Sequence, residues 1–557
     1  MVSAQVATEK AKDEKLDNPS QASPHSADGI ADEGQLAPPI PNPENSDDLA
    51  GIPLILLVFG LCLATFFIAL DNTILATATP VITRALHSLD DAGWYGSAYQ
   101  LTTTVLQPTF GKIFTLFNVK WTYVIAVVIF QVGSIICALA PSSKVLIVGR
   151  AISGVGGAAL YTGGMNILAL VTPMEKRPLY LGIIVSMFGI AQVVGPVLGG
   201  ALTDRLSWRW CFWINLPFGG LVLCTVILFA RIPRRKDSDL TFKEKLRQLD
   251  FLGATLLIGV LVCLLLALQW GGISYSWGKS TVWGCLIGFG LMVPLFVAAQ
   301  LLAKDRATIP PRIIRQKVVL CNVLYTTIFN AGIFARLYYL PYYFQAVKGT
   351  SAQGSGLRTL PYVIATTISA ILFGGVISHI GWYTPVMWLS SFFFMVGCGL
   401  LSTLKVDSSA GKWIGYQILA GIGSGSAYQA PFIAVQGALE MKDVPVGNAV
   451  IGTFNAMGAA VGISIGQNIF INILKQRLDQ TPQVDVAAIV KAGASNLSAF
   501  VPRQYLSLVL SAYDFAVTRT FFLGIAAAGV ALISVLPLGM KSVKSQRKTV
   551  IEGPDGE

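Results

Sequence analysis

Charge is scarce in this chain. Of its 557 residues only 12% are Asp, Glu, Lys or Arg, and 54% are hydrophobic. A soluble domain carries about 25% charged residues, so a water-facing surface of this size is excluded. Histidine is almost missing: His25, His87 and His379 are scattered and show no metal-ligand spacing. The eight cysteines, Cys62, Cys137, Cys263 and Cys398 among them, lie inside apolar runs without paired spacing. No disulfide framework or metal site is expected, which leaves packing as their role. Strand-type alternation is also lacking, and that excludes a membrane β-barrel.

What the chain has is long apolar runs. About 20 such residues cross a bilayer as a helix, and fourteen runs of that kind fall between residues 54 and 540. The expected fold is an all-α membrane protein. Residues 1–50 are polar and rich in Pro, Ser, Asp and Glu, as in a disordered cytosolic tail without a signal peptide. The net charge of +11 sits in short loops, chiefly Arg231 to Arg247 and Lys304 to Lys317, and in the tail 541–557. Basic loops stay inside, so both termini are expected in the cytoplasm and the span number is even. The partner of this charge is the lipid bilayer and not a nucleic acid. Loop 232–249 reads as a short amphipathic helix on the inner surface. The longest external loop, 475–514, carries the sequon at Asn496, a candidate glycosylation site.

An internal repeat appears once the spans are numbered. Span 4 reads "GRAISGVGG" (149–157) and span 12 "YQILAGIGS" (416–424); aligning Arg150 with Gln417 superposes Gly154 on Gly421 and Gly156 on Gly423. Spans 1–6 thus map onto 9–14, with 7 and 8 an inserted pair. The expected division is a six-helix half at 51–231, a loop and inserted helices at 232–303, and a second six-helix half at 304–540. Two such halves around a central cavity make a transporter architecture.

Span 5 contains "GIAQVVGPVLGGAL" (189–202). On a helix, Gly182, Gly189, Pro196 and Gly200 share one face, and Gly195 and Gly199 flank it as a GxxxG pair. A stripe without side chains lets a neighbouring backbone approach closely, while proline frees a backbone group that neighbours must satisfy. Static packing and a sliding or sealing seam both fit this pattern; the proline and a matching stripe in span 13 favour the seam.

Ionisable residues inside the spans are few, and each costs about 2.5–3.5 kcal/mol to insert. Asp71 lies roughly 25 Å up span 1, and Arg150 roughly 9 Å below the outer face in span 4, counting 1.5 Å per residue. Gly195 and Pro196 reach the same depth, where an outer gate would be. A carboxylate that alternates between a paired and a solvent-open state takes up and releases a proton. Asp71 is thus the expected proton acceptor and Arg150 its modulator, with a permanent structural ion pair as the alternative. Arg336, at similar depth in span 9, either contacts substrate or snorkels outward; snorkelling is the favoured expectation. Polar candidates for the cavity include Asn72, Gln100, Gln107, Asn166, Gln192, Asn215, Gln429 and Asn455. So few fixed charges suit a bulky, apolar, neutral cargo better than a phosphate, which wants paired arginines. "GGISYSWGKST" (271–281) lacks the first P-loop glycine, and "GVGGAA" (154–159) sits mid-span, so neither supports a nucleotide site. No catalytic constellation points to an enzyme.

These segments resemble the major facilitator superfamily. "GIAQVVGPVLGGAL" is similar to its antiporter motif. "LDNTILATATP", "LIVGRAISGVGGA" and "WRWCFWINLPFG" resemble motifs of its fourteen-span drug:proton antiporters. "YYLPYYFQAVKGTSAQGSGLRTLP" and "GYQILAGIGSGSAYQAPFIAVQ" resemble the fungal branch that exports toxins and other secondary metabolites. The resemblance implies proton-coupled efflux of a hydrophobic small molecule across the plasma membrane, or alternatively a vacuolar or vesicle membrane. It implies no cofactor beyond the proton gradient, and a monomer is expected. By motif match Asp71, Arg150, Gly154, Gly195, Pro196 and Gly199 take the functional positions. A symporter importing a nutrient or iron chelate is the alternative on the same fold. One departure stands in the loop after span 2, where Gly111 is followed by Thr115 in place of the usual Asp; a charge latch in that loop is not expected.

Overall fold

The computed structural model describes residues 51–88, 91–230, 232, 241–271, 275–478, 501, 503–540 and 542. The tail 1–50 and Asn496 lie outside the described residues. Within them the elements are all helical, and fourteen long helices follow one another. They are α1 (Ile52–Ala85), α2 (Ala92–Leu116), α3 (Val119–Leu139), α4 (Ser143–Val171) and α5 (Arg177–Arg205). Then come α6 (Asn215–Phe229), α7 (Phe251–Trp270), α8 (Ser280–Ala303), α9 (Lys317–Tyr342) and α10 (Leu360–Ile380). The last are α11 (Thr384–Leu401), α12 (Ala410–Ala438), α13 (Val444–Leu478) and α14 (Arg503–Val535).

Thirteen described helices are long and apolar enough to cross a membrane. The one that falls short is α2, whose 25 residues are long enough to span (about 37 Å) but include Gln100, three consecutive threonines, Gln107 and Lys112. The threonines and Lys112 are satisfied by protein and not by lipid. Thr102 donates to the Ala151 carbonyl at 3.0 Å and Thr103 to that of Gly154 at 3.1 Å, both in α4. Lys112 donates to the Asp305 carbonyl at 2.6 Å.

Packing partners separate the helices. In the first set α1 lies on α5 and α6, and α4 lies on α2 and α3. In the second α9 lies on α13 and α14, and α12 on α10 and α11. Between the sets, α5 meets α10 and α2 meets α13. α7 and α8 pair with each other, and α7 touches α2 and α13. Trp283, Ile287, Leu291 and Leu295 of α8 are left exposed, as befits a lipid-facing helix. The basic segment after α6 holds a short helix, Phe242–Arg247, capped by Thr241. Glu244 closes that cap, and its hydrogen bonds to Thr241 lower its pKa below the ordinary carboxylate value.

One boundary differs from the sequence reading. α13 runs on to Leu478 and α14 begins at Arg503, so helix takes both ends of the segment read as the external loop 475–514. Leu478, Val509 and Tyr513 are buried there; apolar burial outweighs the local polarity contributed by Lys475, Arg477 and Gln504.

Close helix approach rests on glycine. A methyl group on Gly458 or Gly462 of α13 would collide with the backbone of Thr327 or Ala331 in α9. Overpacking costs about 1–3 kcal/mol. Gly462→Val is expected to lower the thermal unfolding midpoint of detergent-solubilised protein, read by intrinsic fluorescence. Gly290→Val in α8, where nothing lies within 4 Å, should leave it unchanged.

Candidate functional site: a buried ion pair beside an interhelical cleft

Asp71 of α1 and Arg150 of α4 are both buried, and Arg150 Nη1 donates to Asp71 Oδ2. The guanidinium is fixed on two further sides. Its Nε donates to the Tyr95 carbonyl at 2.8 Å, and its Cζ lies 4.5 Å from the centre of the Tyr99 ring, both on α2. The other carboxylate oxygen, Oδ1, accepts from Asn215 Nδ2 at 3.0 Å, and that amide also donates to Ser134 Oγ at 3.1 Å. Five helices, α1, α2, α3, α4 and α6, therefore meet around one carboxylate. Charge-assisted hydrogen bonds of this kind are about twice as strong as neutral ones.

The glycines explain how the helices come so close. Gly154 lies on Tyr99 and Thr102 of α2, and Gly156 on the Phe130 backbone of α3. On α5, Gly195 lies on Thr73 and the Ile74 amide of α1, where Thr73 donates to the Ala191 carbonyl at 3.0 Å. Gly199 is buried. Gly182 and Gly189 face the other way, onto Ala370 and Thr367 of α10. The helix continues unbroken through Pro196. Gly200 meets nothing within 4 Å, which corrects its placement in the packed stripe: it lies on the face of Gly182, about five turns on, but past the stretch that α10 covers.

Between the two helix sets lies a cleft lined by Phe188, Gln192, Phe334, Tyr362, Thr366 and Tyr428 among others. Toward the end carrying the basic loops it is sealed. Asn448 donates to Asn166 at 2.9 Å, Ser378 donates to the Glu175 carbonyl, and Gly111 lies on Pro445 and Ala449. A chain of charges reinforces that seal. Lys112 holds the Asp305 carbonyl, Asp305 accepts from Arg312 at 2.6 Å, and Arg312 grips Asp443 with two bonds of 2.6 and 2.8 Å. The bonds from Asp443 raise the Arg312 pKa further above its ordinary value.

The profile of the Major Facilitator Superfamily matches residues 61–463. This chain belongs to that superfamily. Among its relatives, the MFS-type efflux pump MFS1 of Arthroderma benhamiae is 41% identical over 506 residues, covering 90% of this chain and 94% of the relative. The efflux pump roqT of Penicillium rubens is 43% identical over 494 residues, with 88% and 92% covered. The efflux pump aflT of Aspergillus parasiticus is 41% identical over 509 residues, with 90% and 99% covered. The fold is shared with the crystal structure of the human organic anion transporter MFSD10, at 13% identity and a TM-score of 0.55, covering 86% of this chain and all of that one. The chain is thus a multi-pass membrane transporter and not an enzyme.

Within this superfamily member the amides divide. Gln192 lines the cleft. Asn166 serves the seal, and Gln429 donates to the Ala370 carbonyl at 2.7 Å, so each makes an interhelical bond. Asn72 donates to the Ile68 carbonyl of its own helix at 3.3 Å. Gln107 and Asn455 are buried, Gln107 beside Gly452 of α13, and Gln100 is exposed. The cleft is instead lined by aromatics; Phe188 packs 6.1 Å from Tyr161 and 6.3 Å from Tyr428, ring centre to ring centre. Asn215, read only as a cavity candidate, is the second donor to Asp71. Its signal was present as an amide inside the apolar "WINLPFG". Arg336 does not snorkel: it is 1% exposed, with its Cζ 3.2 Å from the centre of the Tyr362 ring.

Removing one partner of a buried pair costs about 3–5 kcal/mol, because the other charge is stranded. Asp71→Ala and Arg150→Ala are each expected to destabilise by that amount. The double variant should recover part of the loss, as read by a double-mutant cycle of unfolding midpoints. Asn215→Ala should cost about 1–3 kcal/mol, the penalty for one missing donor.

Proposed function

We propose that this chain is a proton-coupled antiporter that exports a hydrophobic small molecule, of the secondary-metabolite or drug kind, from the cytoplasm. The observation that carries this reading is Asp71, a carboxylate buried in α1 and held between Arg150 and Asn215. The relatives, which are efflux pumps by name, supply the direction. With Asp71 ionised, it and Arg150 neutralise each other. A proton arriving at Oδ2 would remove the charge from Asp71 and break the pair, leaving Arg150 on the Tyr95 carbonyl and the Tyr99 ring. Those two contacts lower the cost of the intermediate state. The energy source is the proton gradient, without a bound cofactor. The basic-loop end, with both termini, faces the cytoplasm; the protein works as a monomer in the plasma membrane, and Asn496 lies outside.

Proteoliposomes loaded with a pH dye and offered Nile red, rhodamine 6G or 1-pyrenebutyrate test this reading. A pH gradient should drive at least one probe against the proton flow. Asp71→Asn should reduce that movement to the protein-free baseline while gradient-free exchange persists. Undiminished driven movement in Asp71→Asn removes Asp71 from the coupling, and cargo moving with protons replaces antiport by symport.

A further inference from the structure

The two helix sets handle their buried arginines differently. In the first, Gly154 packs on Tyr99, and Arg150 lies over that ring with its charge balanced by Asp71. In the second, Gly421, the glycine aligned with Gly154, packs on Tyr362, and a guanidinium again lies over the ring. The cation there is Arg336 of α9. Gln417, aligned with Arg150, donates to the Arg358 carbonyl at 2.9 Å, as Arg150 does to that of Tyr95. No acid accompanies this arrangement. The segment Lys317–Tyr342 contains no Asp or Glu, and among the described residues no carboxylate pairs with Arg336. Its Nε and Nη2 are buried without a hydrogen-bond partner.

A desolvated guanidinium without an anion costs more than a single cation–π contact returns. An ionisable group left so within a membrane protein marks a ligand pathway. Its surroundings locate the ligand. Tyr362, whose face carries the guanidinium, lines the cleft, as do Ile333 and Leu337 on either side of Arg336 in α9.

We propose that Arg336 is the anion subsite of the cleft, and that the cargo is an organic anion: a largely apolar molecule carrying one carboxylate or similarly acidic oxygen. The acidic group reaches the free Nε and Nη2 edge when the Tyr362 ring turns aside, while the apolar body rests on Phe188, Phe334 and Tyr428. This reading rests on the efflux proposal for its cargo pathway and replaces the neutral cargo expected from sequence. That expectation followed from the scarcity of fixed charges in the spans.

Three probes on one scaffold test it: 1-pyrenebutyrate, its methyl ester and 1-pyrenebutylamine. Binding to full-length protein in zwitterionic nanodiscs is read by energy transfer from tryptophan, with empty discs subtracted. The acid should bind about tenfold or more tightly than the ester or the amine. In Arg336→Gln the affinity for the acid should fall to that for the ester, with the ester changed less than about twofold; Arg336→Lys should keep an intermediate preference. Equal binding of acid and ester by the wild type overturns the proposal, and so does undiminished acid binding by Arg336→Gln. If Arg336→Gln does not fold, the wild-type preference and Arg336→Lys decide alone. Pumping is read separately in the proteoliposomes: acid preference without driven movement removes the efflux reading and keeps the subsite.

Discussion

A carboxylate and a guanidinium withdrawn from water into a helical bundle govern much of this structure. Each ion alone would cost several kcal/mol to bury, so neither Asp71 nor Arg150 can sit where it does without the other. Their meeting requires α1 and α4 to approach, α2 to supply the Tyr95 carbonyl and Tyr99 ring, and α6 to supply Asn215. Glycine at 154 and 195 makes room for that convergence. The same dependence makes the pair a suitable switch. One proton changes whether the carboxylate needs its partner, and the helices around it share the consequence.

The halves differ in what they leave unfinished. The first set neutralises its buried arginine with Asp71, whereas the second holds a cation beside the cleft with no carboxylate on it among the described residues. A transporter that couples two ions of opposite sign gains from such a division, because proton and cargo then act on separate helix sets. The seal at the basic-loop end joins them. Asn166 with Asn448, and Lys112 with Asp305, Arg312 and Asp443, tie α2 and α4 to the α12–α13 turn. A latch therefore exists although the loop after α2 lacks the acid usually found there; the lysine beside Gly111 reaches another loop's backbone.

Sequence alone was informative wherever a residue sat in an environment hostile to it. A carboxylate and an arginine in apolar helices, and glycines on a helical stripe, each demand a partner, and depth counting brought Asp71, Arg150 and Gly195 to one level. It was uninformative about who that partner is. Asn166 and Gln429 each make an interhelical hydrogen bond whose partner, Asn448 or the Ala370 carbonyl, no spacing in the sequence points to. Arg336 was misread because its depth is compatible with snorkelling, and its actual neighbour, Tyr362, lies in the next long helix. Gly200 was misread because periodicity fixes the face a residue lies on and not the length over which a neighbour covers it: Gly200 shares the face of Gly182, yet nothing packs there.

The polarity of α2 bears on how the chain is assembled. A segment with three consecutive threonines, two glutamines and a lysine gains little by entering lipid alone, so it cannot be threaded into the bilayer as an independent unit during synthesis. Thr102 and Thr103 find acceptors on α4, which leaves the ribosome roughly fifty residues later. The burial of α2 thus depends on a helix made after it.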